Sequence, residues 1–108
     1  MSALSPYLPC DLTIDEIDTQ AGGLLLDFGV DWCPHCQRAE VLLQKALAGK
    51  HGLRHLRVED GPGRRLGRTY RVKLWPTLIF LINGQEVERL VRPTDLAEIE
   101  AALRKIGA

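Results

Sequence analysis

The hydrophobic positions of the chain change period along its length, and each change indicates a different type of element. Residues 24–28 form an apolar run interrupted only by Asp27, as in a strand that is buried on both faces. After Cys33 a helical pattern extends to Ala48, and Gly49 is its expected stop. One side of this helix is predicted to face the core through Val41, Leu42, Leu43, Ala46 and Leu47.

Shorter elements fill the rest of the chain. Helices are predicted at residues 13–19 and from the turn at 61–63 to about residue 70, and strands at 53–59, 77–82 and 85–91. The dipeptide Asn83-Gly84 predicts a hairpin between the last two strands. Thr94 is expected to cap a final helix with the core positions Leu96, Ile99, Leu103 and Ile106. This order predicts an α/β fold, with a central mixed sheet of four to five strands and helices on both faces.

Length and charge limit the possible functions. A chain of 108 residues has room for one core, so we predict one domain at 11–108. Residues 1–10, interrupted by Pro6 and Pro9, are predicted to be a loosely structured N-terminal extension. The 14 Lys and Arg balance the 14 Asp and Glu, which argues against nucleic-acid binding. No secretory signal or membrane-spanning apolar stretch is visible, so a cytoplasmic location without a membrane partner is expected.

Two of the three cysteines form the sequence Cys33-Pro34-His35-Cys36 at the predicted start of a helix. In a reducing compartment such a pair is typical of catalysis or metal binding rather than of a structural disulfide. Cys33 suits the N-cap and Pro34 the first helical position, where a missing N–H costs nothing. The N–H groups of His35 and Cys36 would then face the Cys33 sulfur, and with the helix dipole they favour a thiolate.

Two neighbouring side chains extend this chemistry. A protonated His35 beside the sulfur would stabilise the thiolate further, and the Cys33–Cys36 disulfide would become a stronger oxidant. Asp27, inside an apolar strand, is poorly suited to burial unless it has a task, and removing the proton of Cys36 is one such task. The alternative is a carboxylate at a strand end that accepts hydrogen bonds from neighbouring N–H groups. In the expected reaction Cys33 attacks a disulfide and Cys36 resolves the mixed disulfide.

Four segments resemble the thioredoxin family in their order and spacing: Leu25-Leu26-Asp27-Phe28, Trp32-Cys33-Pro34-His35-Cys36, Trp75-Pro76-Thr77 and Asn83-Gly84. The resemblance extends from about residue 12 to the C-terminus. It implies a thioredoxin fold and a thiol–disulfide oxidoreductase that acts on the disulfides or thiols of proteins or small molecules. Its only redox group would be the Cys33–Cys36 pair, with no separate cofactor and no metal.

The resemblance also implies roles for residues outside the cysteine motif. Pro76 would be a cis-proline against the dithiol, and Trp75 would present its backbone to an extended substrate. Asp27 would be the family's buried acid, and Arg57 would lie near the place of its basic partner. The expected substrate-binding residues are Trp32, Trp75, Pro76, Thr77, Val91 and Arg92.

The chain departs from the family pattern at several positions. The dipeptide Pro34-His35 resembles the oxidising DsbA-type enzymes, although the chain is too short for the helical insertion of those enzymes. Gly29 stands in place of an aromatic residue, and Val41 stands where a proline often kinks the helix. Arg92 replaces a glycine of the substrate-docking rim. A long, positively charged side chain there is expected to narrow the substrate groove or to change its charge.

Other functions remain open from the sequence. The main hypothesis is a disulfide reductase, and the alternatives are a more oxidising thiol oxidase or isomerase and a non-catalytic binding module. The sequence does not identify the electron donor or acceptor; a thioredoxin reductase and glutathione are the two candidates, and the departures above argue against the usual thioredoxin reductase partnership. A monomer is the default for this fold. A metal site would need Cys10, His51 or His55 to join the pair, whereas both histidines are expected at the surface.

Overall fold

The computed structural model describes residues 4–50 and 52–108. Its helices are α1 (Ile14–Asp18), α2 (Pro34–Leu47), α3 (Arg65–Thr69) and α4 (Leu96–Lys105), and its strands are β1 (Gly23–Gly29), β2 (Arg54–Glu59), β3 (Thr77–Ile82) and β4 (Gln85–Val91). The order of elements is the one that the sequence predicts. Within the described residues, no helix is both long enough and apolar enough to cross a membrane.

The four strands form one mixed sheet in the order β2-β1-β3-β4. Strand β1 pairs in parallel with β2, whereas β3 is antiparallel to both β1 and β4. The register of β1 with β2 places Asp27 opposite Arg57. The predicted α/β class with a central mixed sheet is therefore confirmed.

Alternation along β1 sends its side chains to two separate cores, one on each face of the sheet. Leu24, Leu26 and Phe28 pack with α1 and α3 in one core. Leu25 packs with α2 and α4 in the other, against residues such as Leu43. By the same alternation Asp27 lies on the α2 side of the sheet, where Cys36 is also found.

Two details of the helices differ from the sequence-based expectation. Val41 does not join the core face of α2, because its side chain is 52% exposed. The N-cap of α4 is Asp95 rather than Thr94, since the Asp95 carboxylate accepts a hydrogen bond from the N–H of Ala97 at 3.0 Å. Both residue types suit an N-cap, so composition alone does not choose between adjacent positions.

The segment before α1 is more ordered than the sequence predicts. Leu8 forms a parallel bridge with Val58, donating its N–H to the Arg57 carbonyl and accepting from the N–H of Glu59. Tyr7 is only 4% exposed. The expectation of a loosely structured segment is therefore wrong at these residues, which lie along the outer edge of β2.

Candidate active site at the start of helix α2

The loop after β1 delivers Cys33 to the first turn of α2. Cys33 is the N-cap residue, with the extended dihedrals φ −84° and ψ 123°, and Pro34 occupies the first turn. The Cys33 carbonyl accepts the first helical hydrogen bond, from the N–H of Gln37 at 3.0 Å. The predicted cap arrangement is confirmed, and both Cys33 and Cys36 are free thiols in this structure.

The pKa of Cys33 is lowered by its position at the helix terminus. Burial of the sulfur acts in the opposite direction and raises the pKa, but several favourable contacts outweigh it. These contacts are hydrogen bonds from the Cys36 N–H, the Cys36 thiol and the His35 N–H, together with the positive charge of Arg92. Donors and positive charge favour the thiolate over the thiol at Cys33.

Cys36 has the opposite character. It is 1% exposed, and burial raises its pKa to about 12. The adjacent Cys33 raises the pKa further, while hydrogen bonds involving Val30 and Tyr7 oppose the increase. Cys36 is therefore a protonated thiol at neutral pH and needs a proton acceptor before it can attack a disulfide.

His35 does not act on Cys33 in the way the sequence suggests. Desolvation, Arg92 and Arg38 all lower the pKa of the imidazole, and its Nδ1 lies 2.6 Å from the Arg38 guanidinium. A lowered pKa works against a positively charged imidazole, so protonation of His35 beside the sulfur stays a prediction. The contact of His35 that lowers the pKa of Cys33 comes from its backbone N–H.

Asp27 lies at the centre of a buried polar cluster. Its side chain is fully buried, and Oδ2 lies 3.1 Å from both Arg57 Nε and His55 Nε2. Oδ1 accepts a 2.6 Å hydrogen bond from the Tyr7 hydroxyl. Arg57 is thus the basic partner that the resemblance places near this acid, and its second contact is Glu40 at 2.7 Å. His55, which the sequence places at the surface, instead takes part in this cluster.

Gly29 leaves the space that Tyr7 fills. A Cβ atom on Gly29 would lie 2.6 Å from the Cys36 sulfur and 2.9 Å from the Tyr7 hydroxyl oxygen. Neither approach is compatible with normal van der Waals contact, so a residue with a side chain does not fit here without displacement. The glycine that replaces the family's aromatic residue on β1 is thus matched by an aromatic ring from the N-terminal segment.

The rim of the site is aromatic on one side and basic on the other. The indole rings of Trp32 and Trp75 meet edge-to-face with centroids 5.8 Å apart, and Trp32 is 73% exposed. The Trp75–Pro76 peptide bond is cis. Arg92 donates from Nε to the Trp75 carbonyl at 2.8 Å. The neighbouring Val91 is exposed at the end of β4.

Thr77 does not present its side chain to this rim. It is 1% exposed, and its hydroxyl donates to the Leu74 carbonyl at 2.6 Å. Any contact of Thr77 with a substrate would therefore involve its backbone rather than its hydroxyl, and substrate binding by Thr77 stays a prediction. The sequence around Thr77 does not indicate which way its hydroxyl faces.

The third cysteine lies elsewhere. Cys10 lines an open cleft of about 390 Å³ together with residues such as Leu12 and Arg65, and none of the predicted site residues lines it. Across residues 4–50 and 52–108, no three His, Cys, Asp or Glu side chains are grouped as a metal site requires. His51, considered above as a possible ligand, lies outside the described residues.

Comparison with known proteins agrees with this geometry. The thioredoxin family model matches residues 14–105. This chain belongs to the thioredoxin family. Thioredoxin 2 of Pseudomonas aeruginosa PAO1, solved in its reduced form, is 47% identical, with a TM-score of 0.83 and 94% of each chain covered. The thioredoxin of Chlamydia trachomatis is 36% identical over 75 residues, which is 68% of this chain and 74% of that protein.

Some relatives in the thioredoxin family are longer proteins. The mitochondrial thioredoxin of Bos taurus is 28% identical over 93 residues, and the match covers 85% of this chain but 56% of that protein. The chain thus spans little more than half the length of these mitochondrial relatives.

Sequence reasoning identified the cysteines, Asp27 and Arg57 of this thioredoxin-family site, but it missed Tyr7 and His55. Tyr7 lies outside the residues matched by the family model, so no motif indicates it. The available signal was indirect: Gly29 vacates an aromatic position, and a space in a protein core is normally filled by another side chain. For His55 the signal was its position two residues before Arg57 on β2, because residues two apart on a strand have their side chains on the same face of the sheet.

Proposed function

We propose that this chain is a thiol–disulfide oxidoreductase that reduces disulfides of protein substrates through Cys33 and Cys36. One observation carries the proposal: a cysteine with a lowered pKa at a helix N-terminus lies beside a buried cysteine with a pKa of about 12. Such a pair can react in sequence because only one sulfur is a nucleophile at the start. Its redox group is the cysteine pair itself, with no separate cofactor.

The reaction has two exchanges. The Cys33 thiolate attacks one sulfur of the substrate disulfide, forms a mixed disulfide and releases the other substrate sulfur as a thiolate. Cys36 then loses its proton and attacks the Cys33 sulfur. A Cys33–Cys36 bond forms, the bond from Cys33 to the substrate breaks, and the second substrate thiolate leaves. The substrate gains two electrons, and the enzyme dithiol is oxidised to a disulfide.

The substrate would dock against the rim around Cys33. Trp32 and Val91 are exposed apolar side chains, and the partly buried Trp75 packs between Trp32 and the Cys33 cluster. Such a surface suits an unfolded or extended segment around a disulfide. Arg92 adds a positive charge to the same rim. We propose that this rim favours protein disulfides flanked by apolar and acidic residues.

An insulin-reduction assay with dithiothreitol tests the proposal. The wild-type chain is expected to accelerate insulin reduction, whereas Cys33→Ser is expected to lose the acceleration because it lacks the nucleophile. Cys36→Ser is expected to accumulate mixed disulfides, which mass spectrometry detects. Cys10→Ser, whose thiol lies in a different cleft, is the matched control and should retain activity. A wild-type chain that binds reduced insulin but does not accelerate its reduction would instead be a binding module.

A second candidate, a thiol oxidase or isomerase, is favoured by the lowered pKa of Cys33. Stabilising the thiolate stabilises the reduced protein, which makes the disulfide more oxidising. The reduction potential of the Cys33–Cys36 pair, equilibrated with glutathione buffers, separates the two. A value near −270 mV, about that of thioredoxin, supports the reductase, and a value near −120 mV, about that of DsbA, supports the oxidase.

A further inference from the structure

We propose that Tyr7 carries the proton between Cys36 and Asp27 when the mixed disulfide is resolved. This inference rests on the proposed function, and it adds a residue of the N-terminal segment to the reacting groups. Its basis is the position of the Tyr7 hydroxyl between the buried thiol and the buried carboxylate.

The Tyr7 hydroxyl contacts the carboxylate and lies next to the thiol. The hydroxyl lies 2.6 Å from Asp27 Oδ1, which is a short O–H···O hydrogen bond of the kind formed with a carboxylate. The hydroxyl oxygen and the Cys36 sulfur both lie within 2.9 Å of the point where a Cβ on Gly29 would be, and hydrogen bonding with Tyr7 opposes the raised pKa of Cys36. Tyr7 and Cys36 also belong to one buried cluster with Val30 and Cys33. No side chain at position 29 separates the three groups.

The Tyr7 ring is held firmly in this position. The Arg57 guanidinium lies over the ring at 4.0 Å from its centroid. The Tyr7 N–H donates to Asp31 Oδ1 at 3.1 Å, and the next residue, Leu8, is paired with β2 through two backbone hydrogen bonds. A ring held by Arg57, on a backbone that is itself hydrogen-bonded, keeps its hydroxyl in place without a large entropy cost during the reaction.

The phenol itself does not need to ionise. Burial and the Asp27 charge raise the pKa of Tyr7 well above its usual range, so the hydroxyl keeps its proton at neutral pH. The groups that face it are Asp27, Arg57 and Cys36. A neutral hydroxyl can accept one proton as it donates another, which is the property that a proton relay requires.

The step balances as a proton shift followed by disulfide exchange. The Cys36 S–H proton passes to the Tyr7 oxygen while the Tyr7 hydroxyl proton passes to Asp27 Oδ1. Asp27 becomes a neutral acid, and Cys36 becomes a thiolate. The thiolate then attacks Cys33 as described above, and the substrate thiolate leaves. Asp27 returns its proton to solvent, which protonates the released substrate thiolate, so the carboxylate is restored and the protons balance.

Stopped-flow reaction with 5,5′-dithiobis(2-nitrobenzoate), in a Cys10→Ser background, separates the two exchanges. The first release of thionitrobenzoate reports attack by Cys33, and the second reports resolution by Cys36. Tyr7→Phe keeps the ring and removes the relay atom. We expect this variant to slow the second phase roughly tenfold or more, because a positioned proton-transfer group typically accelerates a reaction by about a hundredfold or more. The rate of the first phase should be unchanged.

A second buried tyrosine provides the matched control. Among the described residues, the Tyr70 hydroxyl is buried without a hydrogen-bond partner, and Tyr70 packs against Phe28 in the other core. Tyr70→Phe should leave both phases unchanged. In Tyr7→Phe the second phase should also reach its maximum rate only at higher pH than in the wild type, since Cys36 must then give its proton to water.

Each outcome decides a separate question. An unchanged second phase in Tyr7→Phe would overturn the relay, and so would equal slowing of both phases, which indicates a structural role only. Absence of the first phase in the wild type would contradict the proposed function rather than the relay. If Tyr7→Phe does not fold, the wild type provides a second test. The chemical shift of Tyr7 Cζ should change with pH in parallel with the titration of Cys36, and a chemical shift that does not change with this titration would overturn the relay.

Discussion

Arg92 donates a hydrogen bond from Nε to the main-chain oxygen of Trp75 at 2.8 Å. Its own N–H donates to the Pro76 carbonyl at 3.0 Å, and its backbone adopts φ +50°. The same guanidinium lowers the pKa of Cys33 through its charge. The Arg92 side chain therefore bonds the Trp75 carbonyl on the docking rim and also stabilises the Cys33 thiolate, so the same residue affects both substrate docking and reactivity.

Arg92→Gly is expected to raise the pKa of Cys33. The thiolate loses a nearby positive charge, so a higher pH is needed to form it. The rate of alkylation by iodoacetamide, followed against pH, measures the change: the midpoint for Cys33 should move to higher pH. Glycine also suits the positive φ at this position, so a loss of folding is not expected.

Arg92→Lys separates the charge from the hydrogen bond in the same assay. It keeps the charge but not the planar guanidinium, so its alkylation midpoint should stay closer to that of the wild type. A midpoint in Arg92→Gly that equals the wild-type value would show that the charge of Arg92 does not act on Cys33.

His35→Pro is expected to lower the reduction potential by an amount on the order of tens of millivolts. The proline removes the backbone N–H that donates to Cys33, which raises the pKa of Cys33 and destabilises the reduced form. Equilibration with glutathione buffers measures the potential. His35→Ala is the matched control because it keeps the N–H, and it should change the potential less. Equal effects of the two variants would assign the tuning to the imidazole instead.

Asp27→Asn is expected to slow resolution of the mixed disulfide more than the first attack by Cys33, because the variant lacks the final proton acceptor. It should also destabilise the fold by about 3 kcal/mol, near the lower end for breaking a buried ion pair, since Glu40 still pairs with Arg57. Stopped-flow kinetics and urea denaturation measure the two effects. A slower first attack with normal resolution would contradict the role of Asp27 as the base.

Gly29→Ala is expected to destabilise the protein by roughly 1–3 kcal/mol, because the new methyl group would overlap Cys36 and Tyr7. Gly52→Ala provides the control, since a Cβ on Gly52 meets nothing within 4 Å. Urea denaturation of both variants, compared with the wild type, measures the difference. Equal stability of the two variants would show that the site relaxes around the methyl group at no cost.

The sequence predicts the elements of the sheet and the position of the cysteine pair well because both depend on local patterns. The apolar run indicates a buried β1, the Asn83-Gly84 turn indicates the β3–β4 hairpin, and Cys33-Pro34 indicates the helix cap. These features need no knowledge of distant contacts.

The parts that the sequence did not predict depend on contacts between distant segments. Val41 fits the helical period but lies at a position of α2 that nothing covers, so its exposure follows from packing. Desolvation and the charge of Arg92 lower the pKa of His35, and Arg92 follows β4, far along the chain from His35. Tyr7 reaches Asp27 only because Leu8 joins the outer edge of β2.

The family match begins at residue 14, downstream of Tyr7. A protein trimmed to that boundary would keep every recognisable motif and both cysteines, yet it would lose the phenol that contacts the buried acid. Likewise, the tetrapeptide of residues 33–36 could be grafted into a homologue that has a bulky residue at the position of Gly29. Such a chimaera would contain both cysteines but would leave no space for a phenol such as that of Tyr7 beside them. Redox properties measured on such chimaeras would then describe the recipient scaffold rather than this one.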